Sequence, residues 1–164
     1  MSAPAAPSPA ADVRAPVFDR VLVAAFLANI PDNVYFKDRE SRFIAASSSF
    51  LRYFGLSRAE DLVGKTDFDF FSASHARPAL EDEQRIMRTG ESIVGKVEKE
   101  VWPDGRVTWA MTSKLPLRDE EGAIIGTFGL SKDVTDAKKT EEALEKAHKD
   151  LVDASRLAGM AEVA

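Results

Sequence analysis

After Gly90 the chain alternates apolar and polar residues on a two-residue period, and that stretch limits the fold more than any other. Ile93, Val97 and Val101 share one face of a strand, with Lys96, Glu98 and Glu100 on the other. Pro103-Asp104-Gly105 has the composition of a tight turn. The next strand puts Val107, Trp109, Met111, Leu115 and Leu117 on one face. Asp119-Glu120-Glu121-Gly122 turns again, and Ile124, Phe128 and Leu130 continue a third strand. Strands joined by such short turns are antiparallel neighbours, so residues 93–134 predict a three-strand meander.

The segment before it is mixed. Val34–Asp38 and Arg42–Ser47 read as two short strands around the polar turn Asp38-Arg39-Glu40-Ser41. Ser48 or Ser49 is placed to cap a short helix ending at Gly55, and Ser57 to cap Arg58–Leu62. Ser72 or Ser74 is placed to cap a longer helix that runs to Thr89 and stops at Gly90. Two strands, small helices, then three strands indicate an α+β domain, a five-stranded antiparallel sheet with helices on one face.

Two helices flank it. Val17, Phe18, Val21, Leu22, Ala25 and Phe26 recur at three- and four-residue steps, predicting an amphipathic helix over 17–30 that Pro31 closes. From Thr135 a single helix places Ala137, Thr140, Leu144, Ala147, Leu151, Ala154, Ala158 and Ala161 on a heptad seam. That pattern reads as a coiled coil, the alternative being a lone solvated helix. Phe18, Val21, Leu22, Ala25, Leu144 and Leu151 are the candidate dimer-interface residues, in a parallel homodimer. Residues 1–16, rich in Ala and Pro, read as a disordered tail.

Composition removes several function classes. The 164 residues include no cysteine, so disulfides, thiolate metal sites and cysteine nucleophiles are excluded. The formal charge of −5 argues against a nucleic-acid partner, whose electrostatic footprint is a basic face. The two histidines are far apart and no metal-ligand cluster is visible. The longest nearly apolar run, Val21 to Ile30, is about half of the ~20 residues a bilayer requires. With no signal-peptide pattern either, the expectation is a cytoplasmic protein without a membrane partner.

Several stretches resemble the PAS family of sensory domains. Asn33-Val34-Tyr35-Phe36-Lys37-Asp38, Arg42-Phe43-Ile44-Ala45-Ala46 and Phe50-Leu51-Arg52-Tyr53-Phe54-Gly55 are similar to its opening strands and first helix. Asp61-Leu62-Val63-Gly64-Lys65-Thr66-Asp67-Phe68-Asp69-Phe70-Phe71 is similar to its central segment. Thr89-Gly90-Glu91 looks like its entry to the third strand, and Lys114-Leu115-Pro116-Leu117-Arg118-Asp119 like the end of its fourth. Asp133-Val134-Thr135 matches its exit motif into a signalling helix. Ser47 or Ser48 departs from the family pattern, which often has Asn after the second strand. The resemblance covers about Ile30 to Thr135 and implies a PAS domain over 31–134, with 135–164 as the helix to an output domain.

Ala154-Ser155-Arg156-Leu157-Ala158-Gly159-Met160-Ala161-Glu162 looks like the lead-in to a sensor histidine kinase. Its phosphoacceptor histidine is then expected beyond Ala164, and a response regulator is reached only through kinase domains absent here. The alternatives are a PAS module for homodimerisation alone, or a PAS input to a cyclic-dinucleotide enzyme or a transcriptional regulator.

On the strand phase adopted here, Val97, Trp109, Met111, Ser113, Phe128 and Leu130 face the helices, either as a filled core or as a pocket for a small, mostly apolar ligand. Ser113 and Tyr53 are its candidate hydroxyls. The ligand is unknown. Haem is disfavoured because His75 reads as a solvated helix start, and His148 falls on the polar side of the coil. In the family, the flavin and yellow-protein photosensors need a cysteine, so that photochemistry is excluded. Asp67, Asp69, Glu81, Asp82 and Glu83 read as caps and solvated helix faces, and no catalytic residue is assigned. Asp133 and Thr135 are the candidate signal-transmission residues. Thr135 is expected to cap the exit helix, and the resemblance implies that Asp133 ties strand to helix through a base such as Lys114 or Arg118.

Overall fold

The computed structural model describes the backbone of residues 15–161 and side chains from residue 19. The expected tail therefore lies outside the described residues, except that Ala15 and Pro16 open the first helix. The order is α1 (Ala15–Asn29), β1 (Asn33–Lys37), β2 (Phe43–Ala46), α2 (Ser48–Tyr53), α3 (Ala73–Thr89), β3 (Ile93–Val101), β4 (Val107–Arg118), β5 (Ile124–Asp133) and α4 (Thr135–Ala161). Two 3₁₀ turns, Ala59–Asp61 and Asp67–Asp69, lie between α2 and α3.

The strands form one antiparallel sheet in the order β2-β1-β5-β4-β3. The meander is present where the alternation predicts it. The first strand pairs with the last, so the helical segment crosses from one edge of the sheet to the other and lies over one face. Beneath α2 and the turns, Tyr35, Phe43, Phe50 and Leu62 form a buried cluster, extended by Phe54 and Phe70. Its rings meet at 5.0 Å (Tyr35–Phe50) and 4.8 Å (Phe50–Phe54), within the usual aromatic range.

Local chemistry fixes the joints. Ser47, fully buried, accepts the N–H groups of Val34 (3.0 Å) and Phe50 (3.3 Å), so one hydroxyl both closes β1 and caps α2. Thr66 and Asp69 form a reciprocal capping box on the second 3₁₀ turn. Gly90 ends α3 at φ 73°, a left-handed conformation that glycine adopts at little cost.

The two faces of the sheet are reversed from expectation. Asn33, Tyr35, Lys37, Glu98, Glu100, Thr108, Thr112 and Lys114 lie on the face covered by α2 and α3. Val97, Trp109, Met111, Ser113, Phe128 and Leu130 lie on the opposite face, where Val97 is 46% and Met111 43% exposed. These six therefore do not line a pocket under the helices. The alternation is real, but the polar side goes inward because its charges and hydroxyls pair with one another and with acids on α3, which makes their burial tolerable.

Close backbone approach leaves no room at Gly126, where an added Cβ would meet the Lys37 carbonyl of the neighbouring strand. Gly126→Ala is expected to cost about 3 kcal/mol, the upper end for overpacking, because backbone rather than a flexible side chain must move. Gly159→Ala, in α4 with open space around it, should leave the urea midpoint unchanged or raise it. Equal midpoints for the two variants would contradict this packing.

Candidate ligand cavity and exit clasp

Lys37 sits on β1 with 1% of its surface exposed. Its Nζ donates to Asp67 Oδ2 at 2.6 Å and to Glu83 Oε1 at 2.7 Å, and stands 4.5 Å from the centre of the Phe43 ring. The sheet, the second 3₁₀ turn and α3 are thus joined through one ammonium. Burial pulls its proton affinity down, but the two carboxylates outweigh that and hold it above the usual lysine value. Glu83, expected on a solvated helix face, is instead 1% exposed, and Asp67 is an ion-pair partner rather than a cap.

Beside this triad lies a cavity of about 30 Å³ between the polar sheet face and α3. Tyr35, Tyr53, His75, Glu98, Glu100 and Lys114 are among its walls. Tyr53 donates to Glu100 Oε2 at 2.5 Å, Thr108 donates to the same oxygen at 2.7 Å, and Trp102 Nε1 donates to Thr108 at 2.9 Å. Lys114 is buried yet makes no ion pair with another described residue. The cavity therefore presents a cation and carboxylates side by side. Of the expected pocket residues, Tyr53 alone lines it. His75 lies in the first turn of α3 as expected, but it is half-buried, its ring 4.4 Å from Phe71, rather than fully solvated. His148 is exposed on α4.

At the other end of the sheet, β5 runs into α4. Asp133 Oδ1 accepts the Thr135 N–H at 2.8 Å, the Thr135 hydroxyl accepts the Trp109 N–H of β4 at 2.9 Å, and Val134 N–H donates to the Trp109 carbonyl at 2.8 Å. Thr135 is therefore the first helical residue and a clasp to β4, not a cap for a helix N–H. Asp133 meets the helix start directly and pairs with neither base proposed for it. Lys114 lies on the covered face, and Arg118 bonds the Gly122 carbonyl.

Val21, Leu22, Ala25, Leu144 and Leu151 are all exposed on the single chain, while the Phe18 side chain lies outside the described residues. Among the described residues no helix is long and apolar enough to cross a membrane, and no group of His, Asp and Glu is arranged to hold a metal.

A five-stranded antiparallel sheet roofed on one face by helices and feeding a long helix defines an α+β module. The PAS fold family model matches residues 27–139, more than half of the chain, and the protein belongs to that family. It is 32% identical over 115 residues to the methanogenesis regulatory histidine kinase FilI of Methanothrix harundinacea (strain 6Ac), covering 70% of this chain and 13% of that protein. It is 31% identical over 112 residues to a diguanylate cyclase of Vibrio cholerae serotype O1, covering 68% of this chain and 35% of that one. The chain thus spans about a third or less of these curated relatives. Among solved structures it is similar to VqmA of Vibrio cholerae in a ligand–DNA complex, at 30% identity and TM-score 0.62, covering 71% of this chain and 52% of that one.

This last likeness overturns the exclusion of nucleic acid made from charge. A protein with a similar domain stands in a DNA complex, so a formal charge of −5 does not exclude such a partner.

The protein's two tyrosines report on the interior. Burial pushes both phenols up from their usual value, with the carboxylates Glu83 and Asp67 adding to the effect at Tyr35, and Glu100 at Tyr53. A raised folded value means that stability is intact below the ordinary tyrosine value of about 10 and falls as pH climbs above it, as it does for Lys37. Absorbance at 295 nm should show no phenolate step near pH 10 in folded protein, both groups ionising at higher pH. A step at that pH with unchanged circular dichroism would contradict the burial.

Proposed function

We propose that this chain is the sensory and dimerising module of a cytosolic signal-transduction protein, a sensor histidine kinase. The observation that carries this reading is the clasp. Because β4 is hydrogen-bonded to the first turn of α4 through Trp109, Val134 and Thr135, the sheet cannot shift without moving the helix. Similarity to FilI and the residues at 154–162 support a kinase as the output.

The input is a small polar ligand at the cavity between sheet and α3, which at about 30 Å³ holds about one water and must widen to admit it. Lys114 calls for an acceptor on that ligand, and Glu98 and Glu100 call for donors. The likeness to VqmA in a complex with a ligand supports such a site. The apolar open face, with Val21, Leu22 and Phe26 of α1 and Leu144 and Leu151 of α4, fits a parallel homodimer in which both helices contribute to the interface. The second reading, an input to a diguanylate cyclase, is favoured by the Vibrio cholerae relative and shares every step up to α4.

Asp133→Ala removes the acceptor for the Thr135 N–H and is expected to cost this chain on the order of 1 kcal/mol. In the full-length protein it should uncouple output activity from input while the sheet stays folded, and unchanged regulation would refute the relay. Sedimentation equilibrium at high concentration should return twice the chain mass, and a strict monomer would remove the dimer from this reading.

A further inference from the structure

A second cavity, of about 70 Å³, lies on the far side of the Lys37 triad between the β1–β2 turn, the second 3₁₀ turn and α3. Three of its lining residues are acids, Glu40, Asp67 and Glu83, and none is basic. Two buried oxygens, Ser41 Oγ and Glu83 Oε2, have no hydrogen-bond partner, and both residues line this cavity at 3% and 1% exposure. Unpaired buried polar atoms are uncommon, and two at one void ask for a shared partner. Ser41 is also the one non-glycine with positive φ among the described residues, at 59°, a conformation that is costly for a serine and holds it at this site. Phe68 and Leu80 supply apolar wall, with Phe68 half exposed at the rim.

We propose that this cavity binds a small primary alkylammonium ion. Its N–H donors match the two orphan oxygens, its charge offsets the excess carboxylate that Lys37 leaves uncompensated, and its carbon packs on Phe68 and Leu80. The volume holds about two waters, or a molecule of two or three heavy atoms. Two waters would fill the space and leave the charge in place. The site is separate from the sensory cavity, although Asp67 borders both.

The test is thermal unfolding of the purified chain in methylammonium chloride, against sodium chloride and tetramethylammonium chloride at equal ionic strength. Methylammonium alone should raise Tm saturably, with amide NMR shifts centred on 40–41, 66–68 and 76–83. Glu83→Gln should weaken the apparent affinity at least about tenfold, as loss of a charged hydrogen bond does. Ser41→Gly, which suits the backbone and spares the ion triad, should weaken it severalfold and decides the matter if the first variant does not fold. An equal response to tetramethylammonium, retention of binding in Ser41→Gly, or shifts centred on Tyr53 and Lys114 would each overturn the proposal.

Discussion

One ammonium lets a helix lie across a sheet face that is otherwise too polar to bury. Lys37 reaches from β1 to a turn 30 residues away and a helix 46 residues away, and its one positive charge is shared between a carboxylate at each. Removing it would strand two carboxylates in the interior, a loss of about 3–5 kcal/mol, whereas replacing the whole triad with apolar groups would be nearly neutral. The triad is therefore better understood as a positioning device than as a source of stability. It sets where α3 sits, and so sets the walls of both cavities on either side of it.

That device is also why the sequence was legible only in part. The period of two in residues 93–134 is a local property, and the three strands, both turns and the start of α4 follow from it. Which face the helices cover is not local. Charged residues are rarely buried unless paired, so Glu98, Glu100 and Glu83 read as surface. Their partners lie far along the chain, as Tyr53 does for Glu100 and Lys37 for Glu83. By pattern alone the apolar side reads as the inward one, and all six candidate pocket residues lie on the other face together because a strand's phase is all or nothing. The caps were nearer to hand. A serine after the second strand was expected to open α2, and Ser47 does so one residue earlier while also bonding to β1.

The reversal gives the open face a meaning. In a chain by itself, an exposed run of Val97, Val107, Met111 and Leu130 is a liability, and covering it with a second copy would turn it into an interface. Trp109 belongs to that face through its ring, over which the Lys138 ammonium stands at 5.7 Å, and to the exit through both of its backbone groups. Whatever packs on the open face thus acts on the residue that holds α4.

Magnitudes decide how such a relay must work. Moving a two-state equilibrium from 1:99 to 99:1 takes about 5.5 kcal/mol of differential stabilisation. The two hydrogen bonds that join Trp109 to the helix start contribute about 1 kcal/mol each, so breaking them cannot drive the switch alone. The remainder corresponds to roughly 140 Å² of apolar surface gained or lost at about 25 cal/mol per Å². A modest slide of one apolar face over another supplies that area. The clasp then sets the direction of the movement, and the open face supplies most of its energy.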